Sequence, residues 1–138
     1  MIRQLCYLST ASDTLDALSL SHMAESARRY NAAMQLTGLL AHGGGFFFQV
    51  LEGPRDNVCA AFGRICRDRR HHDIRLLQDD AVDGRDFAGM CLAIAELDVS
   101  RIAAPERMFD ARAIPALIAA LNHNLPVKAR LLCAMAAA

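Results

Sequence analysis

The chain has 138 residues, with fifteen basic and fifteen acidic side chains, so it is the size of one domain and carries no formal net charge. That balance excludes the broad electrostatic attraction behind nonspecific nucleic-acid binding, and nucleic acid is not an expected direct partner. Five cysteines (Cys6, Cys59, Cys66, Cys91, Cys133) at irregular spacings, with no CxxC pair, indicate neither a disulfide framework nor a zinc site.

Those cysteines read as small buried apolar residues in a reducing compartment. Met1 is followed by Ile-Arg-Gln and a strand-like run, without the apolar stretch of a signal peptide or membrane span. The expected location is the cytoplasm, with no membrane contact.

Ile2 to Ser9 places Leu5 and Tyr7 on one face and Ile2, Cys6 and Leu8 on the other, as in a buried strand. Ser12, Asp13 and Thr14 are helix-start residues, and Leu15, Leu18, Met23, Ala27 and Tyr30 keep roughly helical spacing to about Asn31. Ala24, Ser26 and Ala27 make this first helix rich in small residues. Leu36 to Ala41 and Phe46 to Leu51 flank Gly43, Gly44 and Gly45, which supply the positive φ angles of a hairpin turn.

Gly53 and Pro54 stop the third strand and open a second helix, whose stripe of Val58, Ala61, Phe62 and Ile65 runs to about Asp68. Ile74 to Gln78 and Phe87 to Ala95 read as strands four and five, separated by Asp83-Gly84. The order βαββαββ predicts an α+β, ferredoxin-like sandwich with two helices on one sheet face. Phe46, Phe48 and Val50 oppose Phe47, Gln49 and Leu51 in strand three, so the second face also needs a cover.

A C-terminal helical pair is the expected cover. Ile114, Leu117, Ile118 and Leu121 form one stripe, and Val127, Leu131, Leu132 and Met135 another, with Pro126 between them. The expected organisation is residues 1–97 as the main domain and 98–138 as a helical cap of the same globular unit, without repeats.

Three polar residues occupy positions where packing prefers apolar ones. Gln49 lies between Phe48 and Val50 in the most hydrophobic strand, where an unpartnered amide costs about 1–3 kcal/mol. Either a neighbouring group satisfies it or a ligand does. Tyr7 belongs to the face that meets the helices, and its hydroxyl needs a partner. If strands one and three are neighbours, Tyr7 and Gln49 supply each other's bond, and a ligand edge completes the pair.

Asn31 at the end of the first helix reads on position alone as a cap more readily than as a ligand contact. Arg64 and Asp68, four apart on the second helix, have the spacing of a surface ion pair. His71 and His72, beside Arg69 and Arg70, lack metal-ligand spacing, and a phosphate or other polar ligand suits them better than a metal. GxGxxG, P-loop, GxSxG and HExxH motifs are all missing from the sequence.

The runs CYLS at 6–9, RRYNAAMQLTGLL at 28–40, FFFQVLEGPRDNV at 46–58 and RDRRHHDI at 67–74 resemble the BLUF domain, a family of flavin-binding blue-light sensors, in order and spacing. The resemblance covers about residues 1 to 97, and N-x(4)-LTGLL together with FxQVLEG is its most specific part. It implies a noncovalent flavin, FAD with FMN as the alternative, held between the two helices with its ring edge toward the sheet. By motif, Tyr7 matches the photoactive tyrosine, Gln49 the switching glutamine and Asn31 the asparagine that bonds the ring's polar edge. Arg64, Asp68, Arg70 and His71 match positions lining the pyrimidine end or the entrance.

The implied mechanism is electron and proton transfer from Tyr7 to the excited flavin, their return, and a rearranged Gln49 amide that shifts the absorption to the red. The implied output is a conformational signal to a downstream effector protein, and a homo-oligomer is expected. In strand five the family pattern has a tryptophan and, two residues on, a methionine; here FAGMCLAI puts Met90 and Leu92 at those signalling positions, and the chain has no tryptophan. The sensor is the leading reading; this replacement is the best argument for the main rival, a ferredoxin-like protein-interaction module without photoactivity. An enzyme, such as a flavin reductase or a small hydrolase, ranks lower because neither a nicotinamide fingerprint nor a nucleophile and base pair is present.

Overall fold

Near-continuous burial from Gln4 to Ser9, on both faces of the first strand, sets the frame of the molecule. In the computed structural model, which describes residues 1–13 and 15–97, β1 (Ile2–Ala11) is an interior strand of a sheet whose other strands are β2 (Thr37–Gly43), β3 (Phe46–Gly53), β4 (His71–Val82) and β5 (Ala93–Glu96). Helices α1 (Ala17–Ala33) and α2 (Arg55–Cys66) complete the element order. The sheet order is β4-β1-β3-β2-β5, with β2 and β5 parallel and every other pair antiparallel. This is the ferredoxin-like α+β sandwich expected from the element order.

The hairpin between β2 and β3 closes through Gly44 and Gly45, at φ +60° and +85°, where any other residue would be strained. Leu5, Tyr7 and Leu51 pack under α2 residues Val58 and Ala61, while Leu40 and Phe47 pack under Met23 and Ala27 of α1. The opposite face buries Cys6, Leu8, Phe48 and Val50 with Phe87 and Leu97. The helical pair expected over 114–135, and the cap assigned to 98–138, lie outside the described residues.

Several boundaries depart from the sequence expectation for physical reasons. α1 begins not at Ser12–Thr14 but after Asp16, whose carboxylate accepts the Ser19 amide at 2.8 Å, because β1 runs on to Ala11 and Ala11 N donates to Gly45 O. It ends at Ala33 with Gln35 in the left-handed region at φ +57°, so Asn31 lies inside the last turn and does not cap it. Pro54 is the N-cap of α2 and not part of its first turn, and the helix stops at Cys66, short of Asp68.

β4 is more than twice the expected length, since it pairs with β1 from Ile2↔Val82 to Ala11↔His71. Its charged ends, His71-His72 and Asp79-Asp80, hid the strand because an edge strand tolerates exposed polar side chains. β5 is shorter, Ala93–Glu96, and Phe87 to Leu92 form a connector buried at its two ends, Phe87 and Leu92, with Gly89 at φ +81° and Met90 N donating to Phe87 O at 3.0 Å. Met90 and Leu92 are therefore connector residues, not strand residues. The apolar run misled because burying an irregular segment requires the same side chains as burying a strand.

Among the described cysteines, Cys6 meets the expectation of burial and the other three depart from it. Cys6 is buried and its thiol is pushed far above the usual range, first by desolvation and then by Glu52, Asp80 and Asp86. Cys59 and Cys66 are exposed on α2, whose outer face needs no apolar residue, and Cys91 is half-buried.

Candidate functional site

A cleft, partly open to solvent, lies between the two helices and the sheet. Its floor is Tyr7 of β1 with Leu40, Phe47 and Gln49 of the hairpin strands, and its walls are Met23, Ser26, Ala27, Tyr30 and Asn31 of α1 and Ala61, Arg64 and Ile65 of α2. Asp68, Arg70 and His71 complete the rim. Ser26 and Ala27, two of the small residues singled out in α1, leave the width that a flat ring needs.

Tyr7 and Gln49 are directly opposed across β1 and β3, which fixes their side chains on the helix-covered face. The Tyr7 hydroxyl donates to Gln49 Oε1 in a short hydrogen bond. Burial, with smaller additions from Asp68 and Cys66, pushes the Tyr7 hydroxyl far above the ordinary tyrosine value. The phenol therefore keeps its proton at any working pH and is the donor of the pair. Gln49 is buried, and its Nε2 hydrogens find no acceptor among the described residues.

Asn31 is buried too, and its Nδ2 donates to Cys91 O at 2.7 Å, a contact that ties α1 to the connector. Arg28 Nε adds a second tie to Leu92 O at 3.3 Å, and Gly38 N donates to Met90 O at 3.1 Å. No donor among the described residues meets Asn31 Oδ1. The cleft thus presents an open amide donor from Gln49 and an open amide acceptor from Asn31, flanked by apolar walls.

The expected Arg64–Asp68 pair does not form. Asp68 is taken by Arg70 through Nη2–Oδ2 at 2.6 Å and Nε–Oδ1 at 2.9 Å, and its carboxyl is held below the usual range chiefly by these bonds, against desolvation. Arg64 instead lays its guanidinium carbon 3.8 Å from the Tyr30 ring centroid, a cation–π contact spanning the two helices. A planar fork two residues from Asp68 reaches it bidentately, which outcompetes the helical i,i+4 geometry.

His71 uses both ring nitrogens within the protein: Nδ1 meets Ser9 Oγ at 2.7 Å and Nε2 meets Ile65 O at 2.7 Å. The carbonyl only accepts, so Nε2 carries the hydrogen, and the ring stands edge-on near Tyr7 and Phe47 at 6.1 Å from each. His72 is exposed on β4, and no cluster of metal-ligating side chains occurs among the described residues.

Glu52 was missed at the sequence level. It is fully buried on the opposite face and accepts from Gln4 Nε2, Thr37 Oγ1, Asp86 N and Phe87 N at 2.7–3.2 Å. An acidic residue just before Gly53-Pro54 looks like a solvated strand end. The available signal was the alternation that puts Glu52 in line with Phe48 and Val50.

Fold and cleft together define a class: a ferredoxin-like sandwich that takes a flat heterocycle between its helices and presents an amide donor and an amide acceptor to its edge. The sequence profile of BLUF, sensors of blue-light using FAD, matches residues 2–93. Photoactivated adenylate cyclase subunit beta of Euglena gracilis is 43% identical over 70 residues, 51% of this chain and 8% of that protein. The blue light- and temperature-regulated antirepressor BluF of Escherichia coli K12 is 37% identical over 92 residues, 65% of this chain and 23% of that protein. The solved dark-state structure of BlrB, a BLUF protein, superposes with a TM-score of 0.71 over 86% of this chain and 90% of that one; at 24% identity the likeness speaks to the fold.

The chain belongs to the BLUF family. It is a flavin-binding blue-light photoreceptor domain using FAD, and it spans only a small part of the two curated relatives named above. The residues present fit that group, because the flavin's polar edge alternates acceptors and donors and the cleft answers with Gln49 Nε2 and Asn31 Oδ1 between apolar walls. No helix among the described residues is long and apolar enough to cross a membrane.

Proposed function

We propose that Tyr7, Gln49 and Asn31 read the light in this chain and that Arg64, Asp68, Arg70 and His71 form the rim that holds FAD. The bound FAD supplies blue-light absorption and, when excited, the oxidising power. Tyr7 gives up an electron, and its hydroxyl proton passes to Gln49 Oε1. Both then return to Tyr7, so there is no net product. Gln49 is left with its amide rotated or tautomerised, and a donor stands where an acceptor stood.

The Tyr7–Gln49 bond in the cleft floor carries this reading, because it joins a proton donor to an amide with a second, open side. Asn31 holds the ligand's polar edge with Oδ1 while Nδ2 holds the connector at Cys91 O. The connector residues Met90 and Leu92, seated on opposite-face and helix-face clusters respectively, carry the change to β5 and on to an effector protein. The chain works in the cytoplasm, as a homo-oligomer; its free cysteines support a reducing compartment.

Illumination of the FAD-loaded protein tests the reading. The wild type is expected to be yellow and to show a reversible red shift in blue light, while Tyr7→Phe stays yellow and shows none. A normal red shift in Tyr7→Phe, or a protein that takes up no flavin, overturns it.

A further inference from the structure

The chain contains two tyrosines and no tryptophan, and both tyrosines line the cleft. An excited flavin oxidises whichever electron-rich ring is in reach, so a sensor that depends on Tyr7 has to keep Tyr30 from answering. The two rings are prepared in opposite ways. The Tyr7 hydroxyl has an acceptor in Gln49 Oε1, so an electron leaving the ring is accompanied by a proton moving a short distance to a built partner. No group among the described residues accepts from the Tyr30 hydroxyl, and its ring face carries the Arg64 guanidinium, 3.8 Å from carbon to centroid.

We propose that Arg64 determines which tyrosine serves as electron donor: stacked on Tyr30, its fixed positive charge disfavours oxidation of that ring and reserves the reaction for Tyr7. Losing an electron puts positive charge on the ring, and a guanidinium on the ring face, which attracts the neutral ring's π cloud, repels that new charge. The charge is not neutralised by an ion pair, since the ion pairs among the described residues are Arg3–Asp79 and Arg70–Asp68. Asp68, four residues on and past the end of α2, is occupied by Arg70, and this occupation leaves Arg64 to the ring. An electron taken from Tyr30 has no protein acceptor for the hydroxyl proton among the described residues and does not lead to the Gln49 rearrangement, so the photon is wasted. The proposal rests on the reading of Tyr7 as the productive donor.

The test uses the full chain loaded with FAD, with every value taken per bound flavin. In Arg64→Met the fluorescence lifetime of the flavin and the quantum yield of the red shift are expected to fall severalfold. Adding Tyr30→Phe to Arg64→Met restores both, and Arg64→Lys retains most of each. Without light, the Arg64 side-chain protons show an upfield ring-current shift that disappears in Tyr30→Leu. Lifetime and yield unchanged in Arg64→Met, or a fall that persists after Tyr30→Phe is added, overturns the proposal.

A second comparison leaves Arg64 in place. In Tyr7→Phe the flavin lifetime is expected to be long, because the remaining tyrosine is silenced; a short lifetime that Tyr30→Phe lengthens shows Tyr30 donating despite Arg64 and also overturns it. Failure of the Tyr7 reading would look different, with the red shift itself persisting in Tyr7→Phe.

Discussion

Gln49 and Glu52 stand three residues apart on β3, both buried, yet on opposite faces and with opposite hydrogen-bonding fates. Each is paired across β1 in the same register, Gln49 with Tyr7 and Glu52 with Gln4. Glu52 receives four donors, two of them backbone amides of the connector, and its bonding capacity is filled by the protein. Gln49 receives one donor and keeps its Nε2 hydrogens for the cleft. A buried polar group saturated by its own chain fixes structure, whereas one left half-used is available to a ligand.

The sharpest way to break this contrast is to exchange the consequences of the two residues. Glu52→Ala strands the Asp86 and Phe87 backbone amides and removes one partner each from Thr37 and Gln4, and is expected to cost about 3 kcal/mol or more in urea unfolding. A cost under about 1 kcal/mol would mean that water replaces the carboxylate and that the connector is not anchored there. Asn31→Ala sits between the two cases, since Nδ2 serves the connector and Oδ1 the cleft. It should cost about 1–2 kcal/mol and also weaken FAD binding about tenfold in titration.

Gln49→Leu is the smaller structural insult. The stranded Tyr7 hydroxyl and the gain in apolar burial nearly offset, so stability should change by about 1 kcal/mol or less while the yellow protein loses its red shift completely. Loss of folding in this variant would make Gln49 a second Glu52. The least effect is expected at the rim. Asp68 has a folded pKa below its ordinary value of about 3.9, so the Arg70 pair stabilises fully above that pH and fades as pH falls through the lower native value. Because the pair is largely solvated, Arg70→Ala should cost no more than about 0.5 kcal/mol near neutral pH, and nothing once Asp68 is protonated.

The same contrast separates what the sequence made legible from what it concealed. Gln49 stood out because an amide inside an aromatic run conflicts with local polarity, and Tyr7 followed once β1 and β3 were taken as neighbours. Glu52 did not, since a carboxylate before Gly-Pro matches the polar end of a strand, and the connector amides that satisfy it lie more than thirty residues away. Asn31 was visible, but its position near a helix end suggested a cap; only the tertiary contact to Cys91 O shows otherwise. The ion pair of Asp68 was misplaced because helical spacing says nothing of a competing arginine beyond the helix. The Phe87–Leu92 connector was read as strand because a periodicity argument sees burial and not backbone hydrogen bonds.

The most direct test of the central claim is the light-minus-dark infrared difference spectrum of FAD-loaded protein with ¹³C at its glutamine side-chain carbonyls. If the Gln49 amide is what light rearranges, a carbonyl band pair in that spectrum moves with the label. A red-shifted photoproduct whose infrared difference spectrum is indifferent to the label would contradict the account.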